Sequence, residues 1–219
     1  GAASEAPSGV TYGGTAMVSV VAATNAGVQR ASLWRHLAPA TAATDAVVSW
    51  VAVAYGGVGC SSFNGVDQTT PVSNTATNTG SLSAPTVDVT SAGDEIAIDA
   101  VGTDSDPGAA GAGQTQEFVG SGFVDTAWGK GSRETGAATV TMSWTNSVTW
   151  ASAAASLKAV AATRTTKNTR PWPLGKPEEG GMARSDAIAK ADAVQRMVES
   201  DGWTVLMELI ESEQRHEQK

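Results

Sequence analysis

The side chains able to do nucleophilic, acid–base or metal chemistry are few and scattered. Two histidines, His36 and His216, and one cysteine, Cys60, stand among 22 acidic and 14 basic residues in a chain of 219. A hydrolytic triad needs a histidine oriented by a carboxylate beside a hydroxyl, and a zinc site needs three or four converging His, Cys or carboxylate ligands. His36 falls in an alternating stretch, with Leu33, Arg35 and Leu37 on one face of a strand and Trp34, His36 and Ala38 on the other; His216 falls in a polar tail. The expectation is a packed or rim histidine. Cys60 is expected as a small buried strand residue, and a lone cysteine can form no intrachain disulfide and no cysteine-based zinc site. The motifs H-E-x-x-H, G-x-S-x-G and the P-loop do not occur.

The acids offer two constellations. Asp104-Ser-Asp106-Pro-Gly carries oxygen ligands of the kind calcium takes, but two carboxylates are few and an Asx turn accounts for them more simply. Asp94-Glu95 with Asp99 could be a carboxylate pair for glycoside hydrolysis, which needs acids roughly 5–9 Å apart across the sugar. Asp94 and Glu95, as neighbours in an extended segment, point to opposite faces, which weakens that reading. Gly108-Ala-Ala-Gly-Ala-Gly113 has neither a lysine nor a following helix and reads as a loop rather than a phosphate cradle. The residues thus point to a protein that is not an enzyme and takes no cofactor.

Seven tryptophans are many for a chain of 5% aromatics and raise sugar stacking as a use. Trp34, Trp50, Trp128 and Trp144 recur in register, as core residues do. Trp150 is less constrained and is expected nearer the surface.

The elements that would position these residues are strands. Charged residues make up 16% of the chain and Gly numbers 24, and from Val10 to about Val160 short β-branched runs alternate with Gly, Asn, Asp and Pro turns. The expected fold is all-β: an antiparallel β-sandwich, jelly-roll or Ig-like, over residues 1–162. A gapless shift of 94 residues pairs Trp34 with Trp128, Ser49-Trp50 with Ser143-Trp144, Ser62 with Ser156 and Val66 with Val160, so the sandwich is expected to consist of pseudo-duplicated halves. The second half opens with an extended pair, Val87 to Asp99, whose counterpart in the first half would begin near or before Gly1. One N-terminal strand is therefore expected to be missing from the first half, supplied by upstream residues or by a neighbouring subunit, because an unpaired sheet edge needs covering.

Beyond the sandwich the character changes. Residues 163–181 form a Pro/Gly-rich basic strap, with Arg164, Lys167, Arg170 and Lys176 unaccompanied by acid until Glu178, and with Trp172 and Leu174 between prolines. Residues 182–219 are expected to form an α-helical arm, two short helices broken at Asp201-Gly202, the second placing Trp203, Leu206, Met207 and Ile210 at i, i+3, i+4 and i+7. Two such helices cannot be stable alone, so Arg164, Arg170, Trp172, Leu174, Trp203, Leu206, Met207 and Ile210 are the expected partner-binding residues.

Net charge is −8, with 12 acids against 5 bases in residues 1–162 and 10 against 9 beyond. That balance repels a phosphate backbone and excludes nucleic acid as a partner. No apolar run approaches the roughly 20 residues of a membrane helix, so no membrane is expected.

At Ala31-Ser-Leu-Trp34, Val47-Val-Ser-Trp50, Phe63-Asn-Gly-Val-Asp-Gln-Thr-Thr-Pro-Val72 and Gly136-Ala-Ala-Thr-Val-Thr-Met-Ser-Trp144, the chain resembles a β-sandwich module of bacteriophage virion proteins and bacterial surface proteins. The likeness spans roughly residues 8–162, carries no catalytic residues over, and departs from the pattern at the absent leading strand. It implies a non-enzymatic virion structural protein, a capsid decoration or head-surface component located on the virion, anchored through its C-terminal strap and helices to other virion proteins as a homo-oligomer or multi-copy assembly. The alternative is a glycan- or receptor-binding adhesin domain of a tail or cell-surface protein, using loops at 104–113 and 120–130 with Trp128 and Trp150.

Overall fold

The computed structural model describes residues 6–25, 29–39, 42, 44–51, 55–120, 128–161 and 203–212. These form fourteen strands and, among the described residues, no helix: β1 (Gly9–Tyr12), β2 (Thr15–Ala16), β3 (Val18–Asn25), β4 (Gln29–Leu37), β5 (Ala46–Ser49), β6 (Tyr55–Asn64), β7 (Val72–Ser83), β8 (Thr86–Val89), β9 (Ile96–Thr103), β10 (Thr115–Gly120), β11 (Trp128–Thr135), β12 (Val140–Ser143), β13 (Val148–Leu157) and β14 (Trp203–Ser212). Every ladder is antiparallel.

Two large sheets, ordered β3-β4-β14-β6 and β10-β11-β9-β13-β7, face each other across a core of Ala23, Ala31, Leu33, Phe63, Ile98, Ala100, Ala151, Ala153, Ala155 and Leu157. A small sheet covers each outer side. Val87 and Val89 of β8 with Val140 and Met142 of β12 pack on Ala97 and Ala154; Val10 of β1, Met17 and Val48 of β5 pack with Trp34 and Val58. Inner strands such as β9 and β13 therefore lie between layers on both faces, and their sequences lose the alternation of half-buried strands. In β13, Ala151, Ala153 and Ala155 serve the central core while Trp150, Ser152, Ala154 and Ser156 serve the outer one, nine of its ten residues being buried. Small side chains are what let three layers approach one strand.

The two halves share one antiparallel pairing. β1 pairs with β5 as β8 pairs with β12, Ser49 and Ser143 closing equivalent ends opposite Gly9 and Thr86, and β6 answers β13. The tryptophans at 34 and 128 do not superpose. Trp34 stands level with Cys60 through Met207, whereas Trp128 stands level with Trp150 through Thr103, and the 94-residue shift would have set Cys60 against Ala154, four residues away.

Three strands differ from the sequence reading. β7, Val72-Ser-Asn-Thr-Ala-Thr-Asn-Thr-Gly-Ser-Leu-Ser83, is an edge strand too polar to signal itself. β11 begins where the adhesin alternative places an exposed loop, at 120–130, yet Gly129 to Ser132 are buried in mid-sheet. The third is the C-terminal segment: residues 203–212 are a strand, not the second helix of an arm. Trp203-Thr-Val-Leu-Met-Glu-Leu-Ile210 places apolar residues at helical spacing and at strand spacing alike, and long-range pairing with β4 and β6 decides for the strand. The first helix expected, at 185–198, and the strap residues Arg164, Arg170, Trp172 and Leu174 lie outside the described residues, as does His216.

Candidate functional site: a strand slot and a buried polar cluster

In the sheet of the second half, β9 runs between β11 and β13, antiparallel to both. The chain reaches β9 directly after β8, through a turn in which the Glu95 N–H donates to Ala92 O at 3.0 Å. In the first half the corresponding place lies between β4 and β6, and the chain after β1 does not enter it: it passes through β2 to β3 on the outer edge. β14 enters it instead. Met207 pairs with Trp34 on one side and Cys60 on the other, Leu206 with Arg35 and Ser61, Ile210 with Ala31 and Gly57. Four of the residues expected to bind a partner, Trp203, Leu206, Met207 and Ile210, thus lie together on the strand between β4 and β6. The strand expected to be missing from the first half was assigned to upstream residues or a neighbouring subunit, whereas the segment that lies between β4 and β6 is residues 203–212. Cys60, opposite Met207, is exposed rather than buried.

The acids form a second cluster on the outer face of β9. Asp99 is fully buried. Its Oδ1 accepts from the Ser132 N–H at 2.9 Å and the Ser132 hydroxyl at 2.6 Å, and its Oδ2 accepts from the Trp144 indole N–H at 2.9 Å. Gln114 donates to Ser132 Oγ at 2.6 Å, and its carbonyl oxygen accepts the Gly111 and Ser143 N–H groups. Burial pushes the Asp99 carboxyl up to about 6 against the lowering effect of these donors. Lys130 stands above the Trp144 ring at 5.9 Å and donates to Asp106 Oδ1 and Gly108 O, each at 2.7 Å.

The Ser132 hydroxyl donates to Asp99 and accepts from Gln114, and among the described residues no histidine hydrogen-bonds to it in the manner of a nucleophile's base. Nor does Glu95 join Asp99 as an acid pair. Four residues apart, Glu95 in the turn before β9 and Asp99 on the strand, they are separated by roughly 13 Å of extended backbone, and Glu95 is buried, its Oε2 accepting from Ser156 Oγ at 2.7 Å, Ser73 Oγ at 2.9 Å, Ala92 N at 3.0 Å and Ser91 Oγ at 3.2 Å. Burial raises that carboxyl, and the four donors more than reverse it, holding it below the usual range. Asp94 is exposed.

The Asp104–Asp106 loop is held in the same structural manner. Asp104 Oδ1 accepts the Thr149 N–H at 3.0 Å, and Asp106 is held low by the Lys130 hydrogen bond, helped by the Gly108 N–H. Among the described residues no three His, Cys, Asp or Glu side chains converge as metal ligands. The Gly108–Gly113 loop is pinned to the 143–146 turn by Gly111 N to Ser143 O at 2.8 Å and Thr145 N to Ala109 O at 3.1 Å.

Trp150, expected nearer the surface, is 2% exposed and donates to Ser83 Oγ at 3.1 Å; it offers no face to a sugar. Trp144 is buried like the core residue it was expected to be, and Trp34 is partly buried. His36 is half-buried with its ring centroid 5.7 Å from that of Tyr12. Comparison with known protein families, with curated proteins and with solved structures finds no match.

Proposed function

We propose that this protein is a non-enzymatic structural component of a virion surface, of the kind its sequence resembles, in which an Ig-like or jelly-roll sandwich faces solvent and the C-terminal region secures the chain within a multi-copy assembly. The observation that carries the reading is β14: a segment separated from the layered domain by residues 162–202 is accepted as an inner strand between β4 and β6. Strand addition supplies a ladder of main-chain hydrogen bonds, and many copies on a symmetric shell multiply it. Supporting the reading, Glu95, Asp99 and Asp106 hold loops and strands together through their hydrogen bonds. The basic strap, with Arg164, Arg170, Trp172 and Leu174, is assigned to contact with a neighbouring virion protein.

The test is immunogold electron microscopy with antibody against the layered domain, on phage particles and on cells producing the chain. Regular labelling of the particle exterior is the expected result. Labelling confined to cell surfaces would favour the adhesin reading, and labelling of neither would overturn both.

A further inference from the structure

We propose that the slot between β4 and β6 is a strand acceptor shared between copies, into which β14 of a second copy of this chain inserts. The inference rests on the structural-component reading and names the partner of its site. Three observations carry it. The same place in the other half is filled by β9, which enters directly from β8 and leaves for β10 within the layered domain, so a continuous chain can build this sheet without help. The first half departs from that plan: its chain bypasses the slot, and the strand that fills it comes from beyond a 41-residue interval, 162–202. Nor does β14 depend on a turn from β4 or β6, because both of its neighbours are already joined elsewhere, β4 to β3 and β6 onward to β7.

A strand in that situation is recognised by its ladder and not by its connectivity, and the ladder is the same whichever copy supplies it. That is the low-cost condition for exchange of an identical element between protomers. Forty-one residues span at most about 140 Å when extended, at roughly 3.4 Å each, so reach does not confine the strand to its own domain. A tether of this length presents a chain's own strand at an effective concentration on the order of millimolar or below. Copies crowded on a shell present theirs at a comparable level, and an exchanged strand then links them through the same ladder that completes each one.

Cys60 makes the test direct, since it is the chain's one cysteine and its Cα partner in β14 is Met207; directly opposed strand residues lie within disulfide range. The full chain carrying Met207→Cys is oxidised with oxidised glutathione at concentrations from micromolar to millimolar and run on non-reducing gels. The expected result is a ladder of covalent dimers and larger species whose share rises several-fold with concentration. Cross-linking within single chains at every concentration would overturn the exchange and leave the structural-component reading standing. Failure to cross-link at all, with both thiols titratable, would remove β14 from the slot and take both readings with it. The reduced variant's thermal transition checks that it folds. If it does not, Cys60→Ser with Ser62→Cys and Val205→Cys repeats the test two pairs further along, at the Val205–Ser62 register position.

Discussion

Trp144 reaches across the outer face of the five-stranded sheet to donate its indole N–H to Asp99 Oδ2 at 2.9 Å, and both residues are buried. A buried carboxylate needs its hydrogen-bond partners, so the β12–β13 turn that carries Trp144 is fastened to the centre of the sheet through the polar cluster around Asp99.

Replacing that donor tests its importance. Trp144→Phe keeps most of the ring but leaves Asp99 Oδ2 without its N–H, and the expected loss is about 1–3 kcal/mol, read as a lower urea midpoint at pH 7. An unchanged midpoint would mean that water or another donor takes the place of the indole.

Asp99 also predicts a pH dependence with a definite sign. Its folded value, about 6, lies above the ordinary 3.8, so the folded chain holds a proton that the unfolded chain has released. Its contribution to stability is full below about pH 3.8 and is lost as pH rises through 6, amounting to about 3 kcal/mol. Glu95, Asp106 and Asp67, all held below their ordinary values, act in the opposite direction and lose stability as pH falls. The Asp99 effect is therefore isolated by difference: Asp99→Asn should gain on the wild type by that amount between pH 4 and pH 7, and a constant offset would show that Asp99 does not titrate in this range.

Gly59 faces the ring of Phe118 from the opposite sheet, at a distance that leaves no room for a Cβ. Gly59→Ala should cost about 1–3 kcal/mol by overpacking, and the cost should shrink when Phe118→Ala is added, because the methyl then has space. A double variant whose losses simply add would show that the two residues do not meet.

The inner position of β14 is tested through the backbone. Leu206→Pro removes an N–H from a strand flanked on both sides and should cost about 3 kcal/mol or more, seen as a lower melting temperature and loss of amide protection in β4 and β6. A proline tolerated without either change would place β14 at an edge or outside the sheet.

Strands with apolar alternation or flanking turns, such as β4, β8, β12 and β13, were legible in the sequence. The place of β14 was hidden because strand order is set by long-range pairing, and Trp203 to Ile210 carries helix and strand periodicity together. β11 was hidden for a different reason. Lys130 and Ser132 look like surface residues until Asp106 and Asp99, 24 and 33 positions away, are brought beside them. The role of Asp99 was equally invisible: the sequence placed it among acids, and the fold places it among hydroxyl, amide and indole donors.

The place of β14 also sets an order of events on the ribosome. β6 is complete at residue 64, but its neighbour in the sheet ends at residue 212, so at about 5–20 residues per second the edges of β4 and β6 wait on the order of 10–30 s for the strand that separates them. During translation of adjacent messages, that interval is when a nascent domain is open to a finished strand from a chain made just before it.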